Sequence, residues 1–160
     1  IKALIVRCPD ARIITHESVG KKLNEVGLKY EVMENGASID VNGVSVESYG
    51  TEHACIYGDI SPCRNTGYLI GEELFAPGDA LHDVPTKPVR VLALPSGGPW
   101  MKLSEAINYA KKVKPQIVFP IHDAMYKENY WGGLITRVVG GNLGPDIKFV
   151  DMAPGSSQEF

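Results

Sequence analysis

Apolar positions along this chain fall in short runs broken by Gly, Pro and Asn, and the period of each run separates strands from helices. Ile1 to Val6 is apolar and short, compatible with a strand or with the tail of a helix. Ala11-Arg12-Ile13-Ile14-Thr15 reads as a buried strand. Glu17 to Val26 follows as a helix, with Val19, Leu23 and Val26 near helical spacing and Gly27 as its stop. Ser38–Val41 and Val44–Tyr49 flank Asn42-Gly43, a dipeptide suited to the type I′ turn of a β-hairpin. Tyr68–Ile70 and Leu74–Ala76 flank Gly71-Glu72-Glu73 and predict a second hairpin.

Pro85 and Pro88 interrupt the next stretch. Val89 to Leu94 is then a buried strand, ended by Pro95-Ser96-Gly97-Gly98-Pro99. A helix from about Ser104 to Val113 follows, with Ser104 as N-cap or Met101-Lys102-Leu103 extending it upstream. Ile107, Ala110 and Val113 supply its apolar face, and Lys114-Pro115 ends it. Gln116 to Ile121 is another buried strand, so strand, helix and strand form a parallel crossover. The segment after Tyr126 is Gly-rich and mixed, Ile147–Val150 is a last strand, and Pro154 to Phe160 is a loose tail. No repeat or low-complexity linker divides residues 1–160, so a single α/β domain is expected, a mixed sheet with helices on one face.

Composition changes little. Hydrophobic residues make up 44% and charged residues 22%, ordinary values for a globular domain. A net charge of −3 without a clustered basic surface argues against a nucleic-acid partner. No apolar run approaches the roughly 20 residues that span a bilayer, and the chain opens without a charged leader and cleavage site, so no membrane association or signal peptide is expected. Cys8, Cys55 and Cys63 are odd in number and irregularly spaced, which predicts reduced thiols in a cytoplasmic protein.

Candidate chemistry lies at strand ends. His53 follows the first hairpin in Tyr49-Gly50-Thr51-Glu52-His53, Asp79 follows the second in Phe75-Ala76-Pro77-Gly78-Asp79, and His122 follows Phe119-Pro120-Ile121. Imidazole and carboxylate are the usual ligands of Zn²⁺, and one carboxylate can bridge two metals. Taken singly, each is as readily a turn residue hydrogen-bonded to backbone. His16 stands at a helix start, where capping is its natural role. His82 neighbours Asp79 and Asp83 and is open to a substrate-facing or a solvated role. Cys55 and Cys63 lack an activating motif for nucleophilic work.

The segments gain meaning in order. Gly67-Tyr68-Leu69-Ile70 with Leu74-Phe75-Ala76-Pro77-Gly78-Asp79 resembles the hairpin ending in Gly-Asp of the metallo-β-lactamase superfamily. Val91-Leu92-Ala93-Leu94-Pro95-Ser96-Gly97-Gly98-Pro99-Trp100-Met101 resembles a stretch of its UlaG-like branch of zinc-dependent hydrolases, and Glu105-Ala106, Val113-Lys114-Pro115 and Phe119-Pro120-Ile121-His122-Asp123 continue that pattern. The resemblance implies the C-terminal part of an αββα sandwich. It implies that His53 is a ligand of a first metal, Asp79 the bridging and catalytic carboxylate, and His122 a ligand of a second metal. Zn is the implied cofactor, and water activated by metal is the implied nucleophile on an ester, lactam or phosphodiester.

The family's His-x-His-x-Asp-His motif is nowhere in the chain. The expectation is therefore a truncated hydrolase domain, with two protein ligands per metal where catalytic zinc has three, and weak or no activity alone. The alternative is a non-catalytic binding or assembly module that kept the fold and lost the metal site. The small-molecule substrate is not legible. Val91, Ala93, Ile117 and Phe119 lie on one face of the two crossover strands, and Leu92, Leu94, Val118 and Ile121 serve the other face or the strand end. The helix can cover only one of these apolar faces in a sheet short of its second layer, which predicts an exposed patch and hence a twofold homodimer.

Overall fold

A computed structural model describes residues 1–58, 60, 63–127 and 133–160. The chain opens with helix α1 (Lys2–Arg7), a two-residue strand β1 (Ile14–Thr15), helix α2 (Glu17–Glu25) and strand β2 (Glu31–Val32). Hairpin strands β3 (Ser38–Val41) and β4 (Val44–Tyr49) follow, then β5 (Gly67–Ile70) and β6 (Leu74–Ala76). The crossover unit is β7 (Val91–Pro95), α3 (Leu103–Val113) and β8 (Ile117–Ile121); α4 (Ala124–Lys127), α5 (Leu134–Val138), a 3-10 turn at Gly140–Asn142 and β9 (Lys148–Phe149) complete the order.

Strands β3 to β9 form one seven-stranded sheet in sequence order, while β1 and β2 make a separate parallel pair. The four hairpin strands are antiparallel, and β6 to β9 are parallel. Asn42 and Gly43 both take positive φ, as a type I′ turn demands, and Asp40 Oδ1 accepts the Gly43 N–H at 2.9 Å. The core lies on one face of the parallel half. Leu92, Leu94 and Val118 are fully buried there against Ala106, Tyr109 and Ala110 of α3, with Ile135, Val139 and Leu143 alongside. Helices thus cover this face, as alternation along β7 requires.

Several boundaries differ from the sequence pattern, each for a local reason. The apolar opening is helical, and α1 buries none of its residues. The strand expected over 11–15 shortens to Ile14–Thr15, because its partner β2 offers two residues only. Helix α3 starts one residue before Ser104: Lys102 is the N-cap, and the Glu105 carboxylate accepts the Lys102 N–H at 2.6 Å. Its terminus stands as expected, with Lys114 left-handed (φ 55°) and Pro115 next. Tyr109, absent from the expected apolar face, is buried. Its hydroxyl donates to the Asp83 carbonyl, and burial pushes its pKa up.

The Gly-rich stretch after Tyr126 lies partly outside the described residues; its described end holds α5. The helices cover the Leu92, Leu94 and Val118 face, and the opposite face is partly covered as well. Val91 and Ala93 are buried, and Phe160 from the tail stacks on Phe119 with ring centroids 6.4 Å apart and planes 11° from parallel. No helix among the described residues is long and apolar enough to cross a membrane.

Candidate metal centre

Three strand ends deliver three side chains to one place. His53 lies beyond β4, Asp79 beyond β6 and His122 directly after β8. The Asp79 carboxylate sits between the imidazoles: its Oδ2 is 3.4 Å from His53 Nε2 and its Oδ1 is 3.8 Å from His122 Nε2. Each histidine therefore faces a different oxygen of one carboxylate.

Each side chain is held by its backbone surroundings. His53 Nδ1 donates to the Ala54 carbonyl at 2.6 Å, which leaves the Nε2 lone pair directed at Asp79. Its side chain is only 7% exposed, against 34% for Asp79 and 46% for His122, so the pair opens to solvent from the His122 side. The Ala54 N–H donates to the Asp79 carbonyl at 2.9 Å, tying the first and second strand ends together.

Asn65 clamps the turn that presents Asp79. Its Oδ1 accepts the Asp79 N–H at 2.9 Å and its Nδ2 donates to the Pro77 carbonyl at 2.8 Å. Between these bonds Gly78 adopts φ 69°, and a Cβ there would lie 2.2 Å from Asn65 Oδ1. His122 itself is left-handed, at φ 57°. Its carbonyl packs so close to Gly97 that a Cβ on that residue would approach it to 2.7 Å.

Trp100 completes the centre. Its ring meets His53 edge to face at 5.8 Å and His122 at 6.1 Å, spanning the two histidines. Neither Trp100 nor Asn65 stood out in the sequence as a site residue. Trp100 sits within the Gly-Gly-Pro-Trp-Met stretch, whose position after a buried strand is the one signal that could have found it; Asn65 has none. Two other histidines stand apart. His16 caps α2, its Nδ1 accepting the Ser18 N–H at 3.1 Å. His82 Nε2 lies 3.0 Å from Asp83 Oδ2 and is not part of the Asp79 cluster.

The donor set suits Zn²⁺ or a similar ion: two imidazole nitrogens, one with its tautomer fixed, and a carboxylate with an oxygen toward each. Among the described residues no three His, Cys, Asp or Glu side chains close on a single metal position. A cleft of about 680 Å³ runs beside His53, with Thr51, Glu52 and Arg64 in its wall. A separate groove of about 400 Å³ is lined in part by Ala54, whose carbonyl binds His53, and by Trp100, whose ring meets both histidines.

Residues 7–122 match the family described as Beta-lactamase superfamily domain. Protein Rv0786c of Mycobacterium tuberculosis is 37% identical over 106 residues, covering 63% of this chain and 50% of its own length. The UPF0173 metal-dependent hydrolase MJ1163 of Methanocaldococcus jannaschii is 27% identical over 123 residues, covering 69% of this chain and 54% of its own. The chain therefore spans about half the length of the curated relatives it matches. Among solved structures, Igni18, a metallo hydrolase from the archaeon Ignicoccus hospitalis, shares the fold with a TM-score of 0.65 at 16% identity, over 97% of this chain and 71% of that one.

Proposed function

This chain belongs to the metallo-β-lactamase superfamily, and we propose that it carries part of the metal site of a metal-dependent hydrolase, with His53 and His122 as ligands of two metal positions and Asp79 as the bridge between them. The observation behind this reading is the placement of one Asp79 oxygen toward each histidine Nε2, at 3.4 and 3.8 Å. Zn²⁺ is the metal the donor set favours.

A bound Zn²⁺ supplies Lewis acidity and makes water a competent nucleophile near neutral pH. The chain's own residues do the positioning. Asp79 fixes the spacing of the two positions, because both of its oxygens come from a turn pinned by Asn65 and by the Ala54 N–H. His53 presents Nε2 because its Nδ1 proton is held by the Ala54 carbonyl. Trp100, set edge to face against both imidazoles, limits how far either ring can turn away from Asp79. The substrate is an ester, lactam or phosphodiester in this reading.

With two protein ligands per position, the chain alone binds Zn²⁺ weakly, with Kd above about 1 μM, or less than roughly 8 kcal/mol. Calorimetric titration of the wild type, Asp79→Ala and His122→Ala tests this. Asp79→Ala should abolish binding at both positions and His122→Ala at one. Binding unchanged in Asp79→Ala removes the assignment.

The same reading places the protein in the cytoplasm, supported by three exposed free cysteines, and pairs it with a second copy of itself. Exposed Ile1 at the cap of α1, Leu4 and Val6 on it, Val26 at the end of α2 and Val32 in β2 supply apolar surface for that association.

A further inference from the structure

The groove of about 400 Å³ beside the metal centre is the right size for one small organic group, and its walls divide by chemistry. Trp100, Met101 and Leu81 give it an apolar floor and side. One face of α3 supplies the rim: Glu105, Asn108 and Lys112 stand three and four residues apart, which puts them in line along the groove.

The charges on this rim are unequally engaged. The Glu105 carboxylate is bound to the Lys102 N–H at 2.6 Å, closing the first turn of α3. His82, which also lines the groove, is paired with Asp83 at 3.0 Å. Among the described residues, the Lys112 ammonium reaches only the His82 carbonyl, at the long distance of 3.5 Å, and no carboxylate. Asn108, one turn before it, is exposed on the same rim. An apolar floor that ends in an amide and in an ammonium with no acidic partner among the described residues is complementary to a flat or branched apolar group bearing a carboxylate.

We propose that this groove is the substrate subsite of the metal centre and takes the apolar part of a carboxylate-bearing substrate, with Trp100 and Met101 against the apolar part and Lys112 and Asn108 on the carboxylate. The proposal rests on the metal-site reading, because Trp100 and Ala54 are what join groove to centre. The scissile bond then lies at the Trp100 end and the carboxylate at the Lys112 end.

The probe pair is 3-phenylpropionate and its neutral amide, 3-phenylpropionamide, titrated into the intact chain and followed by NMR shifts of the α3 amides. The acid should bind about five-fold more tightly than the amide, the scale of one solvent-exposed ion pair. Lys112→Met, an exposed substitution whose folding is checked by its melting curve, should bring the two to equal affinity, while Lys112→Arg should retain the preference. Equal binding of acid and amide to the wild type, a preference that survives Lys112→Met, or no saturable binding of either would each overturn the subsite. Zn²⁺ titration of Asp79→Ala separates the two readings. If Zn²⁺ binding depends on Asp79 and the acid preference is absent, the groove falls alone. If Zn²⁺ binding ignores Asp79 and the preference is present, the metal reading falls alone.

Discussion

The turn that carries Asp79 offers a test in which geometry sets the energy. Replacing Asn65 by Ala removes two hydrogen bonds, to the Asp79 N–H and the Pro77 carbonyl, at about 1 kcal/mol each, so about 2 kcal/mol in total. Replacing Gly78 by Ala holds an L-residue at φ 69°, which costs about 1 kcal/mol by itself. Its new methyl would also lie 2.2 Å from Asn65 Oδ1, so the amide must leave, and the same two bonds go with it. Gly78→Ala alone should therefore cost about 3 kcal/mol. In the double variant the methyl enters space that Asn65 has vacated, and the total should stay near 3 kcal/mol rather than reach the additive figure of about 5. Urea denaturation of the four proteins of the cycle, followed by circular dichroism, measures this directly. A coupling within about 0.5 kcal/mol of zero would show that the clash and the clamp are independent, and the account of how Asp79 is held would be wrong.

Two further outcomes are expected. Lys87 joins Glu47 of β4 to Glu72 of the β5–β6 turn, and its hydrogen bond, with a second from the Tyr49 hydroxyl, holds the Glu47 pKa below its ordinary 4.5, while both carboxylates raise that of Lys87 above 10.5. The depressed Glu47 contributes stability above pH 4.5 that is lost as pH falls through its folded pKa, and the raised Lys87 contributes below pH 10.5 and loses it as pH rises through its own; wild type should thus exceed Lys87→Met in melting temperature across that window and converge with it outside, and a constant difference from pH 3 to 12 would refute the linkage. Sedimentation equilibrium at micromolar concentration should give a twofold pair, and a clean monomer would refute the association proposed for the exposed apolar residues around α1, α2 and β2.

The legibility of each feature in the sequence follows from the range of the forces that set it. Asn42-Gly43, Lys114-Pro115 and the apolar runs of β7 and β8 are local signals, and the elements stand where those residues put them. Strand β1 was not legible in extent and β2 not at all, since a two-residue ladder is set by its partner and not by its own composition. Tyr109 was missed for a related reason. A buried tyrosine hydroxyl usually needs an acceptor for its hydrogen bond, and the acceptor here is the carbonyl of Asp83, 26 residues earlier. His53, Asp79 and His122 were nominated by their positions after strands, but their convergence on one carboxylate depends on the order β4-β5-β6-β7-β8 across the sheet. Asn65 and Trp100 act through contacts made only after that order is established.

The backbone at two of these strand ends explains why residue type differs between them. Beyond β6 the chain turns left-handed at Gly78, one residue before the carboxylate, where a glycine adopts that conformation without steric cost. Directly after β8 it turns left-handed at His122 itself, so the residue that bends the chain is also the one whose imidazole faces Asp79. A glycine would relieve about 1 kcal/mol of strain at that position and would remove the imidazole. The strained histidine persists because its neighbours over-determine it: the Ser96 N–H holds the Ile121 carbonyl at 2.9 Å, and Gly97 lets the His122 carbonyl approach its backbone. Asn42, Glu72 and Lys114 share this conformation at turns and a helix end, so the strain alone assigns His122 no role; it is the imidazole's approach to Asp79 that carries the proposed ligand role.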